Sequence, residues 1–581
     1  MMHLPKQFLF FCAALLCVAL NAANVGAKPV VGGPVYLYVS PATEQYMASQ
    51  QQYYAMVYKR WRQQLPRYGE QAREVTREQL LAGLTPGVLI LPAAIALDSE
   101  ERVSIGKFAA GGGSLLGSGE IGTRDALGQY VGLDFLHTTF RVQTQGFFAA
   151  TDDSFFIPYG DGPLTWPIPA GRRMPISLAQ DSIFRLQAKT GAAVLTDWAR
   201  SRQTQAHTVM AFDEVGDSRL AYFSFPDSAL PYSKDTALLM DATVAWLRHQ
   251  PQAYKAAWPQ GYVAAHLIEM DTEDKFFSAP SFAQHLESEG FKSTFYCLTS
   301  SAAEYPDVVR DLMARGHEIA YHSDVHFGFK GDKPGEQELR IRFMKQQLQT
   351  VLGARVNEAT GFRAPTESYD STTEMLLRKH GLRHHAADES AHQDRLPFFS
   401  LAEPGLPPEQ ALVVLPRTQL DDVSFMELKY TPQQVTDTLN DDLDLTVRSG
   451  ALGLLSVHSQ NYVEGGLMLR TMGDYVRKVA SYRDRLWVAR GDEIAAWWRQ
   501  RETVEVQQRW VDDALLVRLQ TPAAVRGLSV FVTLPYQNAK LRVDTTAQTK
   551  AVRVKPIDPY RAALVFDTLA AGKTLFRVTF H

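Results

Sequence analysis

The segment GHEIAYHSDVH, residues 316–326, decides how the middle of the chain folds. It predicts a strand that ends at two histidines four residues apart, His322 and His326. Two imidazoles at this spacing can bind one metal ion, but an isolated pair is weak evidence for a metal site. The residues at the other strand ends of the region therefore have to show whether the two histidines form a metal site or are ordinary polar residues.

The other predicted strands of this region also end at charged or imidazole side chains. They are HLIEMDTED at 266–274 with Asp271, Glu273 and Asp274, GFRAP at 361–365 with Arg363, HHAADE at 384–389 with Asp388, and GLLSVHSQ at 453–460 with His458. Because α/β barrels and open parallel sheets carry their functional residues at the carboxyl ends of strands, we expect these side chains to share one site.

Together these residues supply what a metal-dependent hydrolysis needs. Two histidines and one carboxylate make a three-ligand site with an open position for water, which is typical of catalytic zinc and related divalent ions. Such an ion lowers the pKa of the water toward 7, and a second carboxylate can accept its proton. Arg363 would orient that base through a charge-assisted hydrogen bond. His458 could serve as the general acid for the leaving group.

The order of these segments resembles the polysaccharide deacetylase family, carbohydrate esterase family 4, over residues 263–501. GHEIAYHSDVH is similar to the second motif of that family, GFRAP to the third and LLSVH to the fifth. The resemblance implies a distorted (β/α) barrel with fewer than eight strands and a metal, most often Zn²⁺ with Co²⁺ or Ni²⁺ as alternatives. It also implies hydrolysis of N-acetyl or, less often, O-acetyl groups on a glycan. Asp388 stands where the family's fourth motif has an acid that tunes the pKa of the general acid.

Two departures from the family pattern affect the site. The first motif usually has adjacent aspartates, one as base and one as metal ligand, whereas this chain reads Asp271-Thr272-Glu273-Asp274. We assign Asp271 as the base because it follows the apolar strand directly, and both Glu273 and Asp274 remain candidates for the metal carboxylate. An Asp-x-Glu spacing, as in some relatives, favours Glu273. In FRAPTES, Thr366 replaces the usual aromatic residue and removes part of a sugar-binding wall.

Two further residues are assigned near the substrate, and two aspartates have an alternative structural role. The resemblance places Thr366, through its backbone N–H toward the oxyanion, and Leu455 of the LLSVH segment in contact with substrate. Asp421 and Asp422 lie in PRTQLDDVSF, and either line the groove or cap a turn. We favour the cap, because aspartate is common at helix and turn starts.

The N-terminal residues predict export. Lys6 precedes an apolar run at 8–20, and small residues follow it, which is typical of a signal peptide over 1–27. A membrane anchor is the alternative, but the run is shorter than a spanning helix. After cleavage no apolar stretch is long enough to cross a membrane, and Cys297 is the single cysteine left. We therefore expect a periplasmic or secreted protein without an intrachain disulfide.

The flanking regions predict an α/β multidomain protein. Residues 34–255 alternate strands and helices, and VLILPAA and FAAGGGSLLGSGE resemble the flavodoxin-like fold of class I glutamine amidotransferases. No cysteine nucleophile is present there, and Ser118 lacks the glycine spacing of a nucleophile elbow, so we expect this domain to be noncatalytic. Residues 251–261 are predicted to be a linker before the 262–501 deacetylase domain. Short alternating segments over 503–581 predict a β-sandwich.

These features predict an exported, metal-dependent deacetylase of an amino-sugar polysaccharide, with an exopolysaccharide as the substrate and exopolysaccharide-secretion proteins as possible partners. The alternatives are a noncatalytic carbohydrate-binding or assembly protein that keeps the fold, and a deacetylase of peptidoglycan or of O-acetyl groups. With a formal net charge of −4, the chain has no basic footprint for nucleic acid.

Overall fold

The computed structural model describes residues 31–148, 155–160, 162–176, 183–188, 191–195, 207–388, 394–544 and 552–581. The predicted signal peptide lies outside the described residues. In the part that is described, the chain is a mixed α/β protein, as the sequence predicts. No helix of the described ranges is both long and apolar enough to cross a bilayer.

The first part of the chain forms one large mixed sheet. Its parallel half has the spatial order Arg73–Val75, Val35–Tyr38, Val88–Leu91, Ser114–Ser118 and Ser218–Phe223. Its antiparallel extension contains His207–Val215, Gly191–Leu195, Phe155–Pro158, Met174–Pro175, Val142–Phe148 and Ile183–Ala188. The helices are Pro41–Ser49, Tyr54–Gln64, Arg77–Ala82, Ser99–Ala110, Asp134–Phe140 and Lys234–Leu247. The sequence predicts the strand and helix alternation of the parallel half, but not the antiparallel extension.

The middle of the chain is a curled half-barrel of mostly parallel strands. Their spatial order is Phe398–Phe399, Val413–Arg417, His384–Asp388, Gly361–Arg363, Glu318–Tyr321, Thr294–Cys297, Ala264–Thr272 and Leu452–His458, with Leu486–Val488 also paired to Ala264–Thr272. The sheet curls so far that the backbone N–H of Gln419 donates to the carbonyl of Leu454 at 3.2 Å, near the opposite edge.

Helices cover the outside of this half-barrel. They are Ala279–Glu287, Thr299–Glu304, Pro306–Ala314, Pro334–Leu352, Ser371–Lys379, Asp422–Glu427, Pro432–Ser449, Leu467–Ala480 and Gly491–Glu502. Several begin with proline in the first turn, where its missing N–H costs no helical hydrogen bond. Apolar residues of strands and helices form one buried core between them.

The central strand Ala264–Thr272 aligns the site. All nine of its residues are buried, as expected for a parallel strand covered on both faces. Its register places Asp271 beside Tyr296 on one side and beside His458 on the other. Since the neighbouring strands run parallel, their carboxyl ends meet at one edge of the half-barrel, which is where the sequence predicts the site.

The last part of the chain forms two four-stranded antiparallel sheets. One contains Glu505–Val511, Ala514–Thr521, Gly572–Phe580 and Leu541–Val543, and the other Ala253–Lys255, Ser529–Thr533, Arg561–Phe566 and Val552–Asp558. A short pair, Val525–Arg526 with Thr568–Leu569, adds to them. Buried residues from both four-stranded sheets, including Val517 and Leu564, belong to one apolar cluster.

The prediction of a linker over 251–261 is wrong. Ala253–Lys255 is an edge strand of the second C-terminal sheet, and Trp258 is fully buried. The indole N–H of Trp258 donates to the carbonyl of Gly450 at 2.9 Å, which ties this segment to the half-barrel. The pairing partner of the strand lies about 280 residues later in the chain, so the local sequence contains no periodic signal for it.

Candidate active site

Asp271 lies at the end of the central strand and is held by an arginine. The Arg363 side chain donates from Nε to Oδ2 of Asp271 at 2.8 Å and from Nη1 to Oε1 of Glu269 at 2.8 Å. Glu269 and Asp271 are two residues apart on one strand, so their side chains point to the same face. All three side chains are buried.

The pKa values of Glu269 and Arg363 are shifted by burial and by the charges of their neighbours. Burial and the neighbouring Asp271 raise the pKa of Glu269 to about 8, against the lowering effect of Arg363. Burial lowers the pKa of Arg363, but the carboxylates of Asp271 and Glu269 raise it above its usual value. The raised pKa favours the protonated form of Glu269, while the Arg363 cation contacts both carboxylates.

Glu273 and the two histidines of the opening segment converge next to Asp271. Oε1 of Glu273 is 3.1 Å from Nε2 of His322 and 2.9 Å from Nε2 of His326. The three groups offer ligand atoms that all lie within 4.8 Å of one another. Gln460 donates to the other oxygen of Glu273 at 2.6 Å, which fixes the carboxylate. Burial raises the pKa of Glu273, but the hydrogen bond and charge of His322 lower it to about 2.

The hydrogen bonding of His322 favours a bound cation. Its Nδ1 lies 3.1 Å from the backbone carbonyl of Arg363, which can only accept, so Nδ1 carries the ring proton. In the neutral ring, Nε2 then presents its lone pair to the Glu273 carboxylate. Two electron-rich atoms at 3.1 Å need a metal ion or a proton between them. One carboxylate and two imidazoles are a donor set that suits Zn²⁺, Co²⁺ or Ni²⁺.

Glu273, and not Asp274, faces the two imidazoles. The residue Asp274 is exposed, and in the described residues it belongs to no group of potential ligands. Its backbone carbonyl accepts a hydrogen bond from the Ser459 hydroxyl at 2.6 Å. Of the two carboxylates that the sequence leaves open, Glu273 has the geometry of a metal ligand.

His458 approaches Asp271 from the adjacent strand. Its Nε2 is 3.7 Å from Oδ2 of Asp271, and its Nδ1 is 2.6 Å from Oδ1 of Asp422. Burial lowers the pKa of His458, but the hydrogen bond and charge of Asp422 raise it to about 10, with help from Asp271. In the absence of a metal the imidazole is therefore cationic at neutral pH.

The partner of His458 corrects one interpretation of the sequence. Asp421 is the helix cap, accepting from the N–H of Ser424 at 2.8 Å, but Asp422 is buried against His458 and is not a cap. Asp388 is the acid that the family resemblance predicts to tune the pKa of His458. Its backbone ends the strand His384–Asp388, and its side chain lies outside the described part of the structure. The local sequence does not indicate the pairing of Asp422 with His458, because the contact spans 36 residues of chain.

Residues 275–385 match the family model described as polysaccharide deacetylase. The chain contains a polysaccharide deacetylase domain. The match includes His322, His326 and Arg363, while Asp271, Glu273, Asp388 and His458 lie outside it. No curated protein matches the chain.

Solved structures that resemble the chain include several carbohydrate deacetylases. Agd3, described as a novel carbohydrate deacetylase, is 10% identical with a TM-score of 0.42, covering 95% of this chain and 99% of its own. PuuE allantoinase is 17% identical with a TM-score of 0.35, covering 42% and 92%. A family 4 carbohydrate esterase from Streptomyces lividans, in complex with acetate, is 14% identical with a TM-score of 0.28, covering 39% and 93%.

Thr366 and Leu455 occupy very different positions in the deacetylase domain. Thr366 follows Arg363 in a turn where both Thr366 and Glu367 have a positive φ, 54° and 53°. Left-handed backbone at two successive non-glycine residues is strained and often accompanies functional sites. Leu455 is fully buried in the apolar core of the half-barrel. The contact of Leu455 with substrate stays a prediction, and the residue has no exposed surface in this structure.

A row of ion pairs connects the two halves of the site. Arg363 Nη2 contacts Glu367 at 3.1 Å, and Glu367 in turn contacts Arg417 Nε at 2.7 Å. Arg417 Nη1 reaches Asp421 at 3.1 Å, next to the partner of His458. Glu269, Glu367 and Arg417 are not predicted from the sequence. Glu269 is hidden in an apolar run, and the contact between Glu367 and Arg417 spans 50 residues of chain.

Proposed function

We propose that the chain is an exported, metal-dependent deacetylase that hydrolyses N-acetyl groups of an amino-sugar polysaccharide. The observation that carries the proposal is the convergence of a carboxylate base, an imidazole acid and a three-residue donor set at one edge of the half-barrel. These are Asp271, His458, and Glu273 with His322 and His326. The match to the polysaccharide deacetylase family model supports the same reaction class.

Glu273, His322 and His326 would hold the metal. A divalent ion in that position lowers the pKa of water toward 7 and polarises the acetyl carbonyl. The remaining chemistry belongs to the side chains. Asp271, oriented by Arg363, accepts the proton of the attacking water. His458 donates a proton to the departing atom, and Asp422 keeps the imidazole oriented with Nδ1 occupied.

An amide substrate suits the acid. A sugar amine leaves only after it is protonated, and His458 carries its proton readily because Asp422 raises its pKa. The products would be acetate and a glycan with a free amine, which is cationic. An exopolysaccharide is the proposed polymer, the predicted signal peptide supports a periplasmic or secreted location, and the flavodoxin-like N-terminal region is proposed to be noncatalytic.

Acetate release by the purified protein tests the proposal. The substrates are oligomers of N-acetylglucosamine, oligomers of N-acetylgalactosamine and an O-acetylated glycan, each assayed after chelation and again with Zn²⁺ or Co²⁺ restored. Asp271→Asn is the matched control, because it removes the base and leaves Glu273, His322 and His326, the three proposed metal ligands, in place. Acetate that requires metal and Asp271 would support the proposal and identify the sugar.

Two other results would replace the proposal. Acetate from the O-acetylated glycan alone would make the enzyme an esterase. Stoichiometric metal without acetate from any substrate, peptidoglycan fragments included, would favour the noncatalytic carbohydrate-binding or assembly protein.

A further inference from the structure

The loop that carries His326 has little regular structure of its own. His322 is buried directly after the strand Glu318–Tyr321, whereas 41% of the His326 side chain is exposed. Between them Ser323 has a φ of 95°, a region that residues other than glycine rarely occupy. The position of the His326 imidazole therefore depends on the contacts that hold this loop.

The first half of the loop is held from one side by the helix Thr299–Glu304. The backbone N–H of Thr299 donates to the carbonyl of Ser323 at 3.0 Å. The N–H of Ser300 donates to the carbonyl of Asp324 at 3.3 Å. These bonds stop before His326, so they fix the loop only on the side of His322.

One arginine side chain holds both halves of the loop together. Arg340 donates from Nη2 to the Ser323 hydroxyl at 2.9 Å and from Nε to Oδ1 of Asp324 at 3.0 Å, both before His326. It also donates from Nη2 to the carbonyl of Phe327 at 2.8 Å and from Nη1 to the carbonyl of Gly328 at 2.7 Å, both after it. The loop thus bends around the guanidinium, with His326 at the bend.

The guanidinium is suited to this task and is itself fixed. Arg340 lies on the helix Pro334–Leu352, whose neighbouring Ile341 and Met344 are buried in the core. The guanidinium carbon is 4.1 Å from the centre of the Phe329 ring, and 16% of the side chain is exposed. A planar fork with five N–H donors can serve several acceptors at once, which a lysine ammonium on a flexible stem cannot reproduce.

We propose that Arg340 is a positioning residue for the metal ligand His326. The inference rests on the proposed function, because it takes Glu273, His322 and His326 as the metal-binding residues. His322 has its own support in the Arg363 carbonyl, at 3.1 Å from its Nδ1. Arg340 therefore acts on the metal through His326, and its loss lets that imidazole leave the position facing Glu273.

The test is the Zn²⁺ affinity of the full-length protein, measured by competition with a chromogenic chelator after the metal has been removed. Arg340→Met is expected to weaken Zn²⁺ binding about 10- to 100-fold, the effect typical of residues that orient metal ligands. Arg340→Lys is expected to recover only part of that loss. The matched control is Arg342→Met, because Arg342 is an exposed residue two positions later on the same helix. Circular dichroism and thermal unfolding of the metal-free proteins show whether each variant is folded.

A second background tests the route through His326. In His326→Ala, adding Arg340→Met is expected to change Zn²⁺ affinity less than about threefold, because the group that Arg340 positions is already gone. A loss as large as in the parent protein would overturn the proposal, and so would parental affinity in Arg340→Met. If Arg340→Met does not fold, Arg340→Lys decides on the same two criteria. Zn²⁺ affinity that is unchanged by Glu273→Gln would instead count against the metal site of the proposed function.

Discussion

Nδ1 of His458 lies 2.6 Å from Oδ1 of Asp422, and the backbone N–H of the same histidine donates to the other oxygen of that carboxylate at 3.1 Å. Both carboxylate oxygens of the buried Asp422 therefore contact nitrogen atoms of His458. The arrangement orients Nε2 toward Asp271, 3.7 Å away, and stabilises the protonated ring. His458 therefore carries the proton that a leaving group needs.

Replacing Asp422 by asparagine is expected to impair the acid. Without the carboxylate, the pKa of His458 falls toward its ordinary value, so less of the imidazole is protonated at pH 8. We expect kcat at pH 8 to fall about 100-fold or more, the lower range of general-acid contributions. The alkaline decline of activity moves to lower pH, because the rate is lost once the imidazole loses its proton. Initial rates of acetate release between pH 5 and 10 measure both effects.

The control for this variant is Glu427→Gln. Glu427 is exposed and ends the same short helix that Asp422 begins, so it undergoes the same loss of charge without touching the site. An Asp422→Asn protein with the parental alkaline decline would show that another group protonates the leaving atom.

A metal-binding experiment distinguishes the roles of Glu273 and Asp274. Glu273→Gln is expected to weaken Zn²⁺ affinity about 100-fold or more, since a direct ligand contributes at least as much as the residues that orient it. Asp274→Asn is expected to leave the affinity unchanged, because this residue is exposed beside the site. Both variants remove one negative charge within two positions of the chain, so each controls for the other. Equal losses would mean that the site senses net charge and not the Glu273 carboxylate.

The sequence predicts the location of the site because strand ends carry it. Asp271, His322, Arg363 and His458 each follow an apolar strand, and parallel strands bring their ends to one edge. The sheet topology confirms the mixed α/β class. The family-model match confirms the deacetylase domain. The presence of a buried strand and the residue at which it ends are properties that local hydrophobic patterns indicate well.

The partners of these residues could not be predicted in the same way. Asp422, Glu367 and Arg340 reach the site from a helix start, a strained turn and a helix face. Nothing in their local sequence separates them from ordinary caps and surface charges. Glu269 is masked by the apolar residues around it, and the strand Ala253–Lys255 becomes a strand only through pairing with Ser529–Thr533. Such contacts depend on tertiary packing, which a single sequence does not show.

Arg363→Lys is expected to reduce turnover despite the retained charge. Arg363 serves Asp271, Glu269 and Glu367 through three different nitrogens, at 2.8, 2.8 and 3.1 Å. A single ammonium cannot occupy all three positions, so the Asp271 carboxylate loses its fixed orientation. We expect kcat to fall about 100-fold, the cost of misplacing a catalytic group by about 1 Å, with KM changed less than about threefold.

Steady-state kinetics on the substrate that releases acetate measure this split. Arg355→Lys is the control, because Arg355 forms an exposed pair with Glu358 at 2.9 Å. A rise in KM with unchanged kcat would assign Arg363 to substrate binding and not to the orientation of the base.

Glu269 gives the folded protein a stability that falls with rising pH. Its pKa is raised to about 8 by burial and by Asp271, whereas in the unfolded chain it ionises near its ordinary value of 4.5. Between these values the folded state holds a proton that the unfolded state has released, so the free energy of unfolding decreases as pH rises. Each pKa unit of difference corresponds to about 1.4 kcal/mol.

Glu269→Gln removes this dependence, since a neutral amide of nearly the same shape stays uncharged at every pH. The free energy of unfolding of the metal-free protein, measured by urea denaturation at pH 5, 6, 7 and 8, is expected to fall less steeply in the variant than in the parent. Glu358→Gln, at an exposed ion pair, is expected to keep the parental slope. If Glu269→Gln also keeps it, Glu269 is ionised in the folded protein, and Arg363 then neutralises two carboxylates instead of one.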